Sequence, residues 1–186
     1  VASDLAFPAH CARPVTVTLA DGRTVAFRGK IDRVDRSEDG RPWVADYKSG
    51  DAHHYVTIEK DGGDPVDGGK RLQLPVYAAA ARQVYGEDLI VHAEYIFVKE
   101  GERSAPIGYD VTPERWQRFT TVLGRLVDGI AAGSFPADPG DPGWRSIGDN
   151  CLYCAYDPVC PASRLRDWQR KADSAGAQPF LAVRSA

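Results

Sequence analysis

Residues 15–19, VTVTL, alternate apolar and polar positions with β-branched side chains, the period of a half-buried strand. Asp21-Gly22 supplies a tight-turn signal and TVAFRGKIDRV resumes as a second strand to about Arg36, so the two runs read as a hairpin. SEDGR is the next turn and PWVADYK, residues 42–48, the third strand. Residues 49–69 are polar and glycine-rich without a period, which predicts a mobile loop. In KRLQLPVYAAAARQVY, residues 70–85, an alanine-rich helix places Leu72, Val76, Ala79 and Ala80 on one buried face and confines Pro75 to the first turn. LIVHAEYIFV, residues 89–98, is an apolar strand on which ERSAPIGYDV can pair back. Thr112-Pro113-Glu114 is a cap with proline at the first helical position, opening a helix to about Ala132. Residues 133–150 read as loop, ASRLRDWQRKA as a short basic helix, and 175–186 as a flexible tail.

This order predicts a mixed α/β fold with a small central mixed β-sheet flanked by helices. With 186 residues, 43% of them hydrophobic, the chain can bury one sizeable core, so one domain over residues 1–174 is expected. No run is apolar enough to span a membrane or to act as an export signal. The chain begins at Val1 and contains no methionine, which suggests a piece of a larger protein. A net charge of −3 gives no general attraction for nucleic acid, although a local groove can still be basic. Nucleotide-binding glycine fingerprints are absent, which argues against ATP or NAD as ligands. Three of the four cysteines, Cys151, Cys154 and Cys160, crowd into the segment 150–172, a clustering that favours metal over disulfides.

The chemistry concentrates in GKIDRVDRSEDGRPWVADYKSG, residues 29–50. Strands avoid aspartate, so Asp32 and Asp46 need a reason. Asp46 and Lys48 are two apart and share a sheet face. A turn symmetric about Asp39 would put Asp32 opposite Asp46 and Val34 opposite Val44. Like charges at such a pair repel unless a cation lies between them. Asp32, Asp46 and the Tyr47 backbone carbonyl are therefore candidate ligands for Mg²⁺ or Mn²⁺, hard ions that favour oxygen and keep sites open for water. Lys48 adds a point charge that can orient the attacking water or stabilise charge developing on a phosphate. The implied chemistry is metal-assisted phosphodiester hydrolysis.

These residues resemble the RecB-type PD-(D/E)XK nucleases. GKIDRVD is similar to that family's G-x-x-D-R-x-D strand, VADYKSG to its D-Y-K-[ST]-G strand, and RLQLPVYAAA to its Q-x-x-x-Y helix, with Gln73 and Tyr77. The resemblance implies a restriction-endonuclease-like core, with Asp32, Asp46, Lys48, Gln73 and Tyr77 catalytic and Gln73, Tyr77 and Arg71 at the DNA. NCLYCAYDPVCP resembles the C-x2-C-x5-C of an AddB-like subset in which these cysteines hold a [4Fe–4S] cluster. Cys11 is the candidate fourth ligand, though it lies closer to Asp32 than the family pattern places it; soft thiolates also suit Zn²⁺. The family's upstream histidine-bearing helix has no counterpart, since His10 is too near Asp32, and His53 and His54 read as solvated. Trp43, Tyr47, Tyr55 and Tyr77 can stack on bases, and Arg71, Arg164, Arg166 and Arg170 can meet phosphates.

The implied function is a metal-dependent DNA nuclease, exonucleolytic on single-stranded ends, acting with a helicase in end processing and recombination repair in the bacterial cytoplasm. The alternative is a DNA-binding or Fe–S-stapled module that does not cut. Retention of the repelling acids together with Lys48 and Gln73 favours the enzyme.

Overall fold

A computed structural model describes residues 2–7, 14–58, 63–99, 105–142 and 148–184, with the backbone alone for 2–7. His10 and Cys11 lie outside the described residues. The strands are β1 (Ala2–Phe7), β2 (Val15–Thr18), β3 (Thr24–Phe27), β4 (Gly29–Arg36), β5 (Pro42–Lys48), β6 (His92–Phe97) and β7 (Ile107–Asp110). The helices are α1 (Gln73–Tyr85), α2 (Pro113–Ala131), α3 (Arg164–Lys171) and α4 (Gln178–Arg184). The chain divides into two compact units, 1–124 and 125–186.

In the first unit a five-stranded sheet runs β1-β4-β5-β6-β7, with β5 and β6 parallel and the other neighbours antiparallel. This is the mixed α/β sheet expected. The predicted single strand from Thr24 to Arg36 is instead broken at Arg28: β3 pairs with β2 in a separate two-stranded sheet, while β4 pairs with β1 and β5. Two different partners claim its two halves, and a change of partner cannot be read from local period.

The β4–β5 hairpin has the expected register, Val34 opposite Val44 and Arg33 opposite Ala45. Its turn is closed by Ser37 N donating to Arg41 O at 3.0 Å and by Ser37 Oγ bonded to Asp39. Gly40 takes φ +84°, a left-handed conformation that a side chain would strain. A symmetric turn fixes which residues oppose, and so fixes the site.

Helix α1 buries Leu74 through Ala81 without interruption, more than the single face expected. It touches β2 as well as β5 and β6, so it lies against both sheets, and alanine is small enough to let backbones approach on every side. Pro75 sits in the first turn as predicted, and Gly86 ends the helix at φ +140°. Thr112 Oγ1 accepts from Arg115 N at 3.4 Å, the cap expected for α2.

The described parts of segment 49–69 are tied down more than the mobile loop expected. Ile58 and Val66 are fully buried. Asp64 accepts from Val66 N and Gly68 N, and its carboxylate takes both Arg118 Nε and Nη2 at 3.1 Å from α2. Burial pushes the Asp64 carboxyl up, but the Arg118 fork and the two backbone donors outweigh it and hold the pKa below the ordinary value. A depressed carboxyl stabilises the fold above its unfolded pKa of about 4 and loses that contribution as pH falls through the folded value. Asp64→Asn should therefore cost about 1–2 kcal/mol in urea unfolding at neutral pH. The gap to wild type should close as pH falls through that depressed folded value, below which both proteins carry a neutral group.

In the second unit the expected basic helix is α3, and residues 178–184, within the segment expected as a flexible tail, form α4. The tail is held by specific contacts. Arg184 Nη1 meets Asp138 Oδ2 at 2.6 Å, Arg125 Nη1 donates to Ala182 O at 2.6 Å, and Phe180 packs edge-on to Trp168. Val183 is buried. No helix among the described residues is long and apolar enough to cross a membrane.

Candidate active site

The site forms where β4 and β5 meet α1. The antiparallel ladder runs as far as Arg33 opposite Ala45, and the next pair in that register is Asp32 with Asp46. There the Asp32 side chain, not its backbone, takes the next donor: Oδ2 accepts from Tyr47 N at 3.0 Å. Asp46 is 4% exposed, and a carboxylate so buried must be compensated. Its Oδ1 accepts from Tyr77 Oη at 3.2 Å and from Gln73 Nε2 at 3.3 Å. Its Oδ2 lies 2.6 Å from Lys48 Nζ, an ion-pair distance, yet no aligned hydrogen bond reaches this buried oxygen. The short distance carries the charge attraction; the missing alignment leaves a lone pair available.

Lys48 Nζ also donates to Gln73 Oε1 at 2.7 Å. Gln73 and Tyr77, four apart on α1, present the same helix face and bond to each other at 3.5 Å. Burial, with the Asp46 charge and hydrogen bond behind it, pushes the Tyr77 phenol up to about 12, and Asp32 adds to the shift. As the pair that continues the β4–β5 register beyond Arg33 and Ala45, the two carboxylates share a sheet face. Burial likewise raises Tyr95, the β6 residue paired with Asp46, above the ordinary phenol range.

Two carboxylates, one with an unaligned buried oxygen, and the carbonyl of Tyr47, whose N–H already holds Asp32, are a set of hard oxygen donors that fits Mg²⁺ or Mn²⁺. Among the described residues no three His, Cys, Asp or Glu side chains gather as a ready ligand group. For the cysteines it means that Cys151, Cys154 and Cys160, all partly exposed and unbridged, do not converge on one point. They lie in successive turns, with Cys154 N donating to Cys151 O and Cys160 N to Asp157 O, and Arg164 bonds Asp157.

Arg71, expected at the DNA, is engaged within the chain. It stacks on Tyr55 at 3.5 Å, donates to His54 O at 2.8 Å and stands 3.5 Å from Asp67. Of the aromatics expected to stack on bases, Trp43 and Tyr47 lie on the sheet face opposite Asp46, Trp43 against His92, while Tyr55 packs on Tyr95 and Phe97. His53 is bound to Asp51 and stacked on His54. Arg166 and Arg170 are exposed on α3. Sequence reasoning missed Tyr95: it sits in an ordinary apolar strand, and only the parallel pairing of β5 with β6 brings it beside Asp46.

Because the Tyr77 phenol stays protonated to about pH 12, it donates to Asp46 throughout the neutral and alkaline range. If the site hydrolyses phosphodiesters, as the sequence motifs imply, Tyr77→Phe should lower that activity roughly tenfold, the scale of one hydrogen bond to a charged group. The pH–rate profiles of variant and wild type should keep the same shape and differ only in height.

Converging carboxylates, an amine and an amide at the junction of two strands and a helix form the kind of site that nucleases build on a mixed sheet. The chain belongs to the PD-(D/E)XK nuclease superfamily, whose family model matches residues 2–161. It is also 28% identical over 219 residues to an ATP-dependent helicase/deoxyribonuclease subunit of Symbiobacterium thermophilum, covering 84% of this chain and 18% of that protein. The chain thus spans less than a fifth of the relative's length. No solved structure matches it.

Proposed function

We propose that this chain is a Mg²⁺- or Mn²⁺-dependent deoxyribonuclease domain, exonucleolytic on single-stranded ends. It works beside a helicase in DNA end processing and recombination repair in the bacterial cytoplasm. The observation that carries this reading is the buried Asp46 carboxylate shared by Lys48, Gln73 and Tyr77, with Asp32 held on the same side by Tyr47 N. Binding DNA alone would not need a repelling acid pair. A relative named as a helicase/deoxyribonuclease subunit supports the helicase setting.

Asp32, Asp46 and the Tyr47 carbonyl would hold the ion, which when bound lowers the pKa of water and neutralises charge on phosphate. The Lys48 ammonium, 2.6 Å from Asp46 Oδ2, would orient the attacking water or steady charge developing on the phosphate. Gln73 holds Lys48 and Asp46 in one geometry, and Tyr77 keeps the Asp46 carboxylate turned. Although Cys151, Cys154 and Cys160 do not gather as a ligand group in this structure, we assign them to a [4Fe–4S] cluster on the strength of their sequence spacing alone, with Cys11 as the candidate fourth.

The test is degradation of end-labelled single-stranded DNA. Shortening from the ends in Mn²⁺ or Mg²⁺, abolished by chelator, is expected; no cleavage with either ion overturns the reading. Anaerobically purified protein should carry iron and labile sulfide with visible absorbance lost in Cys154→Ser. Colourless protein loaded with zinc would overturn the cluster assignment.

A further inference from the structure

Tyr95 belongs to none of the sequence motifs, yet it touches the site. It is 1% exposed, it is the parallel strand partner of Asp46, and Lys48 Nζ lies 5.1 Å from its ring centroid. Tyr55 packs edge-on to the same ring, centroids 4.8 Å apart at 65°, and the Arg71 guanidinium lies over Tyr55. Two cations and two rings therefore form one chain from the segment before α1 to the lysine of the site.

Lys48's other partners are Asp46 and Gln73, both polar. Water, a bound cation or a DNA phosphate competes for such contacts. A buried ring face is different: its quadrupole attracts an ammonium within about 6 Å, and water replaces that contact poorly. The ring also limits where a flexible four-carbon side chain can swing.

We propose that Tyr95 is a positioning residue of this site: its ring face holds the Lys48 ammonium in place while the contacts of Asp46 and Gln73 are exchanged during binding and turnover. The consequence for cleavage rests on the nuclease reading; the placement of Lys48 on the ring does not. Tyr55, braced by Arg71, supports the ring from its edge and ties the segment before α1 to the site.

The experiment compares Tyr95→Phe, which keeps the ring, with Tyr95→pentafluorophenylalanine, which keeps its shape and reverses the quadrupole, so packing and electrostatics separate. Tyr95→Phe should cleave within about twofold of wild type. The fluorinated protein should lose roughly fivefold in kcat, with KM for DNA and thermal midpoint unchanged, the scale of one cation–π contact. Equal turnover by the two proteins overturns the proposal. A second readout needs no activity: in NMR spectra the Lys48 ε-methylene protons should be shifted upfield by the ring current in wild type and Tyr95→Phe. An unshifted Lys48 signal in wild type overturns the placement. An inactive wild type with a shifted Lys48 signal would count against the nuclease reading and still support the placement.

Discussion

Asp46→Asn is expected to lower DNA cleavage by at least about a thousandfold while the protein stays folded. Asparagine has the shape of aspartate, so Tyr77 can still donate to its oxygen and the packing around this 4%-exposed side chain survives. What disappears is the negative charge. With it goes half of the carboxylate pair and the buried Oδ2 that no hydrogen bond aligns with. The Lys48 ammonium loses its counterion, but its side chain is 21% exposed and can turn toward water, so the cost in stability is small. Thermal unfolding provides a check independent of activity. Mn²⁺ should raise the midpoint of wild type, because an ion bound only to the folded state stabilises it by mass action, and should leave Asp46→Asn unmoved. Cleavage by the variant within tenfold of wild type would remove Asp46 from the mechanism.

Lys48→Met should have the second largest effect, and its signature differs. The stem is replaced at similar volume and only the ammonium is lost. Cleavage should fall about a hundredfold, as for the removal of one electrostatic stabiliser. Without metal the buried Asp46 is left with hydrogen bonds on Oδ1 and nothing on Oδ2, and stability should fall by about 2 kcal/mol, less than the roughly 3–5 kcal/mol of breaking a fully buried ion pair because Lys48 is partly exposed. Mn²⁺ should recover that loss. The metal-induced rise in thermal midpoint is then larger in Lys48→Met than in wild type, because the cation no longer competes with the ammonium for Oδ2. Equal rises in the two proteins would mean that Lys48 and the cation do not share that oxygen.

The two effects differ in kind because the site is a balance of buried charges. Removing the acid removes the reason for a cation; removing the lysine leaves the acid in need of one. A structural ion pair would show loss of stability in Lys48→Met with no recovery by metal.

Much of this balance was legible in the sequence. Aspartates in strand-like runs, a lysine two residues after one of them, and a turn symmetric about Asp39 were enough to read the register that sets Val34 opposite Val44 and, continued, Asp32 opposite Asp46, because side-chain alternation and a tight turn are local rules that few tertiary forces override. The i, i+4 spacing of Gln73 and Tyr77 placed both on one helix face for the same reason. Other features were out of reach. The break at Arg28 depends on which strands compete for each half of one β-rich run. The full burial of α1 depends on two sheets meeting it, and the helix at 178–184 on Asp138, Trp168 and Arg125 waiting for it.

The sequence by itself determined the acids, the lysine and the register that opposes them, since these follow from chain periodicity over a few residues. Only the tertiary structure decided that Gln73 and Tyr77 would clasp Asp46, that Arg71 would turn inward onto Tyr55, and that Tyr95 would lie beside Lys48. Those contacts join residues 16 to 47 positions apart, through a parallel strand pairing and a helix packed across it. Local rules carry no information about which distant segments share the buried space.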